Sequence, residues 1–181
     1  MASTAAAILD ELRKNGVKYY VTVPDSLSRP LFELCTRDEG MTVVSVCHEA
    51  DAVSVAAGLH IGGATNVIVF ENSGFFQAIE AVRAFGIDME LPMVMLIGWV
   101  GRVKANQSAD DALAESVGKR GAAGTHVTWQ GVMTPQLLDT LRIPHATLES
   151  AAGAPLISWA FRKAGETRQP VAVLMDRMEA H

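Results

Sequence analysis

Cysteine is nearly absent. Cys35 and Cys47 are the only two among 181 residues, too few for a disulfide framework and without the spacing of a metal site. Both are expected to be buried free thiols. Basic clusters are missing as well: 15 Lys and Arg stand against 20 Asp and Glu, the formal charge is −5, and no more than two basic residues are adjacent. That balance gives no support for nucleic-acid binding. No apolar run approaches the roughly 20 residues a membrane helix needs. The opening MASTAAAILDELRKNG places charges inside its apolar stretch, unlike a secretion leader, so a cytoplasmic protein is expected. Several catalytic signatures are also wanting. There is no G-x-x-x-x-G-K-[ST] loop, no G-x-G-x-x-G and no G-x-S-x-G elbow. The histidines His48, His60, His126, His145 and His181 show no metal-ligand spacing.

What remains is 49% hydrophobic and 19% charged, the composition of a compact chain with largely buried strands. Short apolar runs alternate with helical patterns along its length. YYVTV (19–23), TVVSVC (42–47), NVIVF (66–70), PMVMLIGW (92–99), a short run near 145–148 and PVAVLMD (170–176) read as six strands. Helices are expected over 3–14, 27–36, 49–61, 75–85, 134–141 and 152–164. The pattern implies one domain over 1–181, a three-layer α/β/α arrangement around a mostly parallel six-stranded sheet. The segment 101–125 (GRVKANQSADDALAESVGKRGAAGT) is polar, rich in Gly and Ala, and long for a connection. It is either an active-site lid or a solvated excursion.

Parallel sheets bind ligands beyond the carboxyl ends of their strands. Four strand ends carry distinctive residues here: VPDS (23–26), CHE (47–49), ENSG (71–74) and GWVGR (98–102). Each has an ordinary explanation as a turn, a helix cap or an acid placed against a helix dipole. Four at one edge of a sheet point to a site. Glu49 stands out, because a carboxylate opening the apolar, alanine-rich helix EADAVSVAAG is costly to desolvate unless something uses it.

The stretches VPDSL (23–27), HEADAVSVAAG (48–58), NSG (72–74), IGWVG (97–101) and HVTWQGVMTPQLLDTLRIP (126–144) together resemble the pyrimidine-binding domain of thiamine-diphosphate decarboxylases. Sulfopyruvate decarboxylase alpha subunits and phosphonopyruvate decarboxylases are the nearest in pattern, and the resemblance covers about residues 5–178. It implies that Glu49 hydrogen-bonds N1′ of the cofactor's aminopyrimidine and activates it for attack on a 2-oxo acid. Asn72, Ser73 and Gly74 would line the pyrimidine. Asp25, Ser26, Trp99, Arg102 and His126 would face the substrate. The sequence departs from that pattern at Glu71, where related chains carry glutamine, and at Phe75-Phe76-Gln77, where they carry Leu-Gly-Asn.

The superfamily's GDG motif with its downstream asparagine, which holds Mg²⁺ and the diphosphate, does not occur in this sequence. The resemblance therefore implies a separate diphosphate-binding beta subunit that holds the metal, and a homo- or hetero-oligomer. Sulfopyruvate or phosphonopyruvate is the expected substrate. Two alternatives stay open: another 2-oxo acid with the same cofactor, by decarboxylation or carboligation, or a non-catalytic regulatory domain that keeps the fold.

Overall fold

The computed structural model describes residues 3–102, 108 and 129–176. Elements follow in the order α1 (Thr4–Lys14), β1 (Tyr19–Thr22), α2 (Arg29–Arg37), β2 (Thr42–Ser45), α3 (Glu49–Ile61), β3 (Asn66–Glu71) and α4 (Asn72–Ala81). A π-helical segment (Val82–Asp88) continues α4 and leads to β4 (Met93–Gly98). Then come α5 (Trp129–Thr140), β5 (His145–Leu148), a 3₁₀ turn (Ala151–Gly153), α6 (Leu156–Thr167) and β6 (Pro170–Met175).

The six strands form one sheet in the order β2-β1-β3-β4-β6-β5, and every pairing is parallel. β3, β4 and β6 are apolar and buried along most of their length, as strands covered on both faces must be. Strand alternation divides their side chains between two cores. Val67, Val69, Val94, Leu96, Val171 and Val173 pack with α1, α2 and α6. Ile68, Phe70, Met95, Ile97, Ala172 and Leu174 pack with α3, α4 and α5 on the other face. The three-layer architecture expected from the sequence is the one observed.

β2 differs from expectation. It is an edge strand, exposed at Thr42 and Ser45 and only half-buried at Val43 and Val44. Cys47 beyond it is exposed, whereas Cys35 is buried. An edge position has a neighbour on one side only, so an apolar run there does not imply full burial.

Two helices begin earlier than their patterns suggest. α4 starts at Asn72, directly after β3. α5 starts at Trp129 and carries Pro135 inside it. A proline in a helix leaves the carbonyl four residues earlier without its usual donor. That carbonyl belongs to Gly131, and it accepts from the Trp99 indole Nε1–H at 2.7 Å. The helix therefore runs through Pro135 with the vacated acceptor satisfied. The segment 101–125, expected as a lid or a solvated excursion, lies outside the described residues except for Gly101, Arg102 and Ser108.

Candidate active site

The order of the strands determines where ligand can sit. Beyond β1 the chain turns to α2 on one face, and beyond the neighbouring β3 it turns to α4 on the other. Adjacent strands whose exits diverge leave a crevice at their carboxyl ends. Thr22 of β1 pairs with Val69 of β3, which brings the Pro24-Asp25 turn and Glu71 to the same end of the sheet.

Glu49 enters this crevice from the side. His48 caps α3, its Nδ1 accepting from the Ala50 N–H at 3.3 Å, and Glu49 is the first helical residue. Its carboxyl group lies directly over Gly74 in the first turn of α4. A Cβ at position 74 would stand 2.5 Å from Glu49 Oε1 and 2.7 Å from Cδ, closer than real side chains approach. Glycine is thus needed at 74 to admit the acid. Among the described residues the half-buried Glu49 carboxyl has no hydrogen-bond or ion-pair partner.

Asp25 shapes the loop beside it. Its Oδ1 accepts from the Leu27 and Ser28 N–H groups at 2.8 and 2.7 Å, and its Oδ2 accepts from the Ser28 hydroxyl at 2.7 Å. Ser28, which the sequence did not single out, is buried, while Ser26 is exposed on the loop. Tyr20 lies beneath the turn, wholly buried, and burial pushes its phenol far above the ordinary range.

Glu71 closes the far side. Burial raises its carboxyl above the usual carboxylate range, and the charges of Asp25 and Glu49 raise it further. It pairs with Gly98 in the β3–β4 ladder, and a Cβ on Gly98 would lie 3.7 Å from the Glu71 Cγ and 3.1 Å from Leu27 Cδ2.

The other residues named from sequence divide into two groups. Ser73 is exposed beside Gly74 at the start of α4. Asn72 is buried, and its amide works as a clamp: Nδ2 donates to the Val100 carbonyl at 3.0 Å and to Thr134 Oγ1 at 3.3 Å, and Oδ1 accepts from the Val100 N–H at 3.3 Å. It joins the start of α4 to the exit of β4 and to α5. Trp99 is occupied with Gly131. Arg102 reaches across to the β5–β6 end of the sheet, where it pairs with Glu149 at 3.0 Å and Asp176 at 2.7 Å. The structure thus gathers Asp25, Glu49, Ser73, Gly74 and Glu71 around the crevice and gives Asn72, Trp99 and Arg102 protein partners. His126 lies outside the described residues.

A doubly wound sheet whose carboxyl-end crevice holds a glutamate set on a helix-start glycine, without a partner among the described residues, has the layout of a ligand-binding domain. The family described as "Thiamine pyrophosphate enzyme, N-terminal TPP binding domain" matches residues 2–126, and the chain belongs to that family. It is 22% identical to the sulfopyruvate decarboxylase subunit alpha of Methanococcus maripaludis, over 97% of this chain and 96% of that one. It is 26% identical to the subunit of the same name from Methanothermobacter thermautotrophicus, over 96% and 95%. Phosphonopyruvate decarboxylase of Streptomyces viridochromogenes is 29% identical over 54% of this chain and 25% of its own. The fold is shared with the thiamine diphosphate-dependent 4-hydroxybenzoylformate decarboxylase of Rhodococcus jostii at a TM-score of 0.67 and 18% identity. That likeness covers 97% of this chain but 30% of the larger enzyme. Among the described residues, no helix is long and apolar enough to cross a membrane.

Proposed function

We propose that this chain is the alpha subunit of a split thiamine-diphosphate-dependent decarboxylase of sulfopyruvate or phosphonopyruvate. The observation that carries this reading is the Glu49 carboxyl, held over Gly74 with no protein partner among the described residues. Such a half-buried acid is free to take a hydrogen bond from a bound ligand, and a ring nitrogen of the cofactor's aminopyrimidine fits that position. When bound, the cofactor supplies an electron sink for the loss of carbon dioxide from a 2-oxo acid. Glu49 shares or holds a proton at the pyrimidine N1′. Gly74 gives the acid room, and Ser73 stands at the rim. Asn72 fixes the α4 turn through Val100 and Thr134, so it shapes the pocket floor from behind. Asp25 sets the loop that faces the substrate.

The diphosphate and its Mg²⁺ belong, on this reading, to a separate beta subunit that carries the GDG motif, with the cofactor spanning the interface. Relatives matched over nearly their full length are named as alpha subunits, which supports a partner. Arg102 is held by two carboxylates, and it would meet an anionic substrate head group only by exchanging them.

Reconstitution tests the proposal. Co-expression with a GDG-bearing subunit should yield release of carbon dioxide from sulfopyruvate or phosphonopyruvate, with neither subunit active alone. Glu49→Gln should fold normally and lose at least about 100-fold in kcat, the usual scale for a positioned acid or base. Full activity of the purified chain alone, or unchanged turnover of Glu49→Gln, would reject the assignment.

A further inference from the structure

The loop after β1 is tied down at two points. The first is polar and local. Asp25 accepts from the Leu27 and Ser28 N–H groups and from the Ser28 hydroxyl, which closes the turn against the start of α2. The second is apolar and distant. The Leu27 side chain is buried, yet it belongs to neither of the two cores. It rests on the last residue of β4 instead, for a Cβ on Gly98 would stand 3.1 Å from Leu27 Cδ2. β3 lies between β1 and β4 in the sheet. Leu27 therefore crosses the end of one strand to seat on the next, two strand spacings or roughly 10 Å from β1.

Gly98 provides that seat. Its backbone makes no demand for glycine, because its φ is not among the positive ones. A glycine inside a strand weakens it, and often marks a place where another group approaches closely. The approaching group here is Leu27. The other neighbours of a Cβ at 98 are Glu71 Cα and Cγ, each at 3.7 Å, an ordinary contact distance between carbons. A methyl group at 98 would thus press on Leu27 alone, and the leucine or its loop would have to rise by a few tenths of an ångström. The loop so seated holds Asp25 half-buried and Ser26 exposed.

We propose that Leu27 and Gly98 are positioning residues for the reaction. The seating of one on the other sets where the Asp25–Ser26 turn stands over the crevice, and neither residue touches a ligand. The effect on turnover rests on the decarboxylase reading above; the effect on the loop does not.

A double-mutant cycle tests the first effect. In the reconstituted complex Gly98→Ala should lower kcat/KM about tenfold, since a misplacement of about 1 Å can cost about 100-fold and this one is smaller. Leu27→Ala should also lower it, because the loop loses its seat. In the Leu27→Ala background, Gly98→Ala should then change kcat/KM by less than about twofold, the signature of two residues acting through one contact. An equal loss from Gly98→Ala in both backgrounds would assign the effect to the strand and overturn the proposal, as would full activity of either single variant. The second effect is read without turnover, by amide hydrogen exchange of the full chain. Gly98→Ala and Leu27→Ala should each speed exchange at the Leu27 and Ser28 N–H groups about tenfold, a local opening, and leave the β3 and β4 amides unchanged. Unaltered exchange at Leu27 and Ser28, or protection lost throughout the sheet, would overturn the proposal. A wild-type complex that releases no carbon dioxide rejects the decarboxylase reading, and the exchange measurement then decides the role of the contact. Should Gly98→Ala fail to fold, Leu27→Ala decides by the same two measurements.

Discussion

At the residue scale a tight constraint lies between Glu49 and Gly74, from two elements that are not neighbours in sequence. A methyl group at 74 would press on the carboxyl end of Glu49, a flexible side chain that can swing aside. Alanine also suits a helix better than glycine by about 1 kcal/mol. Gly74→Ala should therefore leave the thermal midpoint unchanged or slightly raised. Cofactor affinity, measured by titration of the reconstituted complex, should fall at least about tenfold, which corresponds to about 1.4 kcal/mol. A variant that lost stability instead would show that the glycine serves the backbone and not the acid. Glu49 stood out in the sequence, because an acid opening an apolar helix is conspicuous. The reason for Gly74 was not, since nothing local indicates which side chain will lie over a glycine.

At the element scale, α5 shows how a local rule is overridden from a distance. Pro135 argues for a helix beginning near 134, yet the helix extends back to Trp129. The acceptor the proline strands at Gly131 is taken by the Trp99 indole, and Gly131 itself packs on the Gly101 backbone, where a Cβ would collide. Trp99→Phe should cost about 1–2 kcal/mol in urea unfolding, the scale of leaving a polar group without its partner. Gly131→Ala should be the more damaging, because the Gly101 backbone cannot step aside as a side chain could. Most strand and helix positions followed from periodicity, and α3 and β5 match their expected bounds. The π-helical end of α4 did not. There Gly86 is buried against the Pro170 ring, leaving no room for a Cβ, a contact made by residues more than 80 positions apart in the chain.

At the scale of the whole molecule, α1 is joined to α6 by a buried acid. Glu11 accepts from the Ser158 hydroxyl at 2.5 Å and from Lys14 Nζ at 2.5 Å. The Lys14 hydrogen bond, then that from Ser158, holds its carboxyl below the ordinary value of 4.5. A carboxyl depressed by folding contributes stability above its unfolded pKa and loses it as pH falls through the folded value. Glu11→Gln should therefore lower the melting temperature at neutral pH. That deficit should shrink as the pH is taken below 4.5, as a series of calorimetric scans would show.

Composition and periodicity were enough to give six strands in a mostly parallel sheet and the layers of helices, because burial on both faces leaves a period in the chain. Strand order, and with it the crevice between β1 and β3, was settled only in three dimensions. So were the edge position of β2, the exposure of Cys47, and the pairing of Asn72, Trp99 and Arg102 with protein groups. Hydrophobic pattern records which face of an element is covered, but carries no record of which element covers it. The convergence of Asp25, Glu49 and Glu71 depends on that second kind of information.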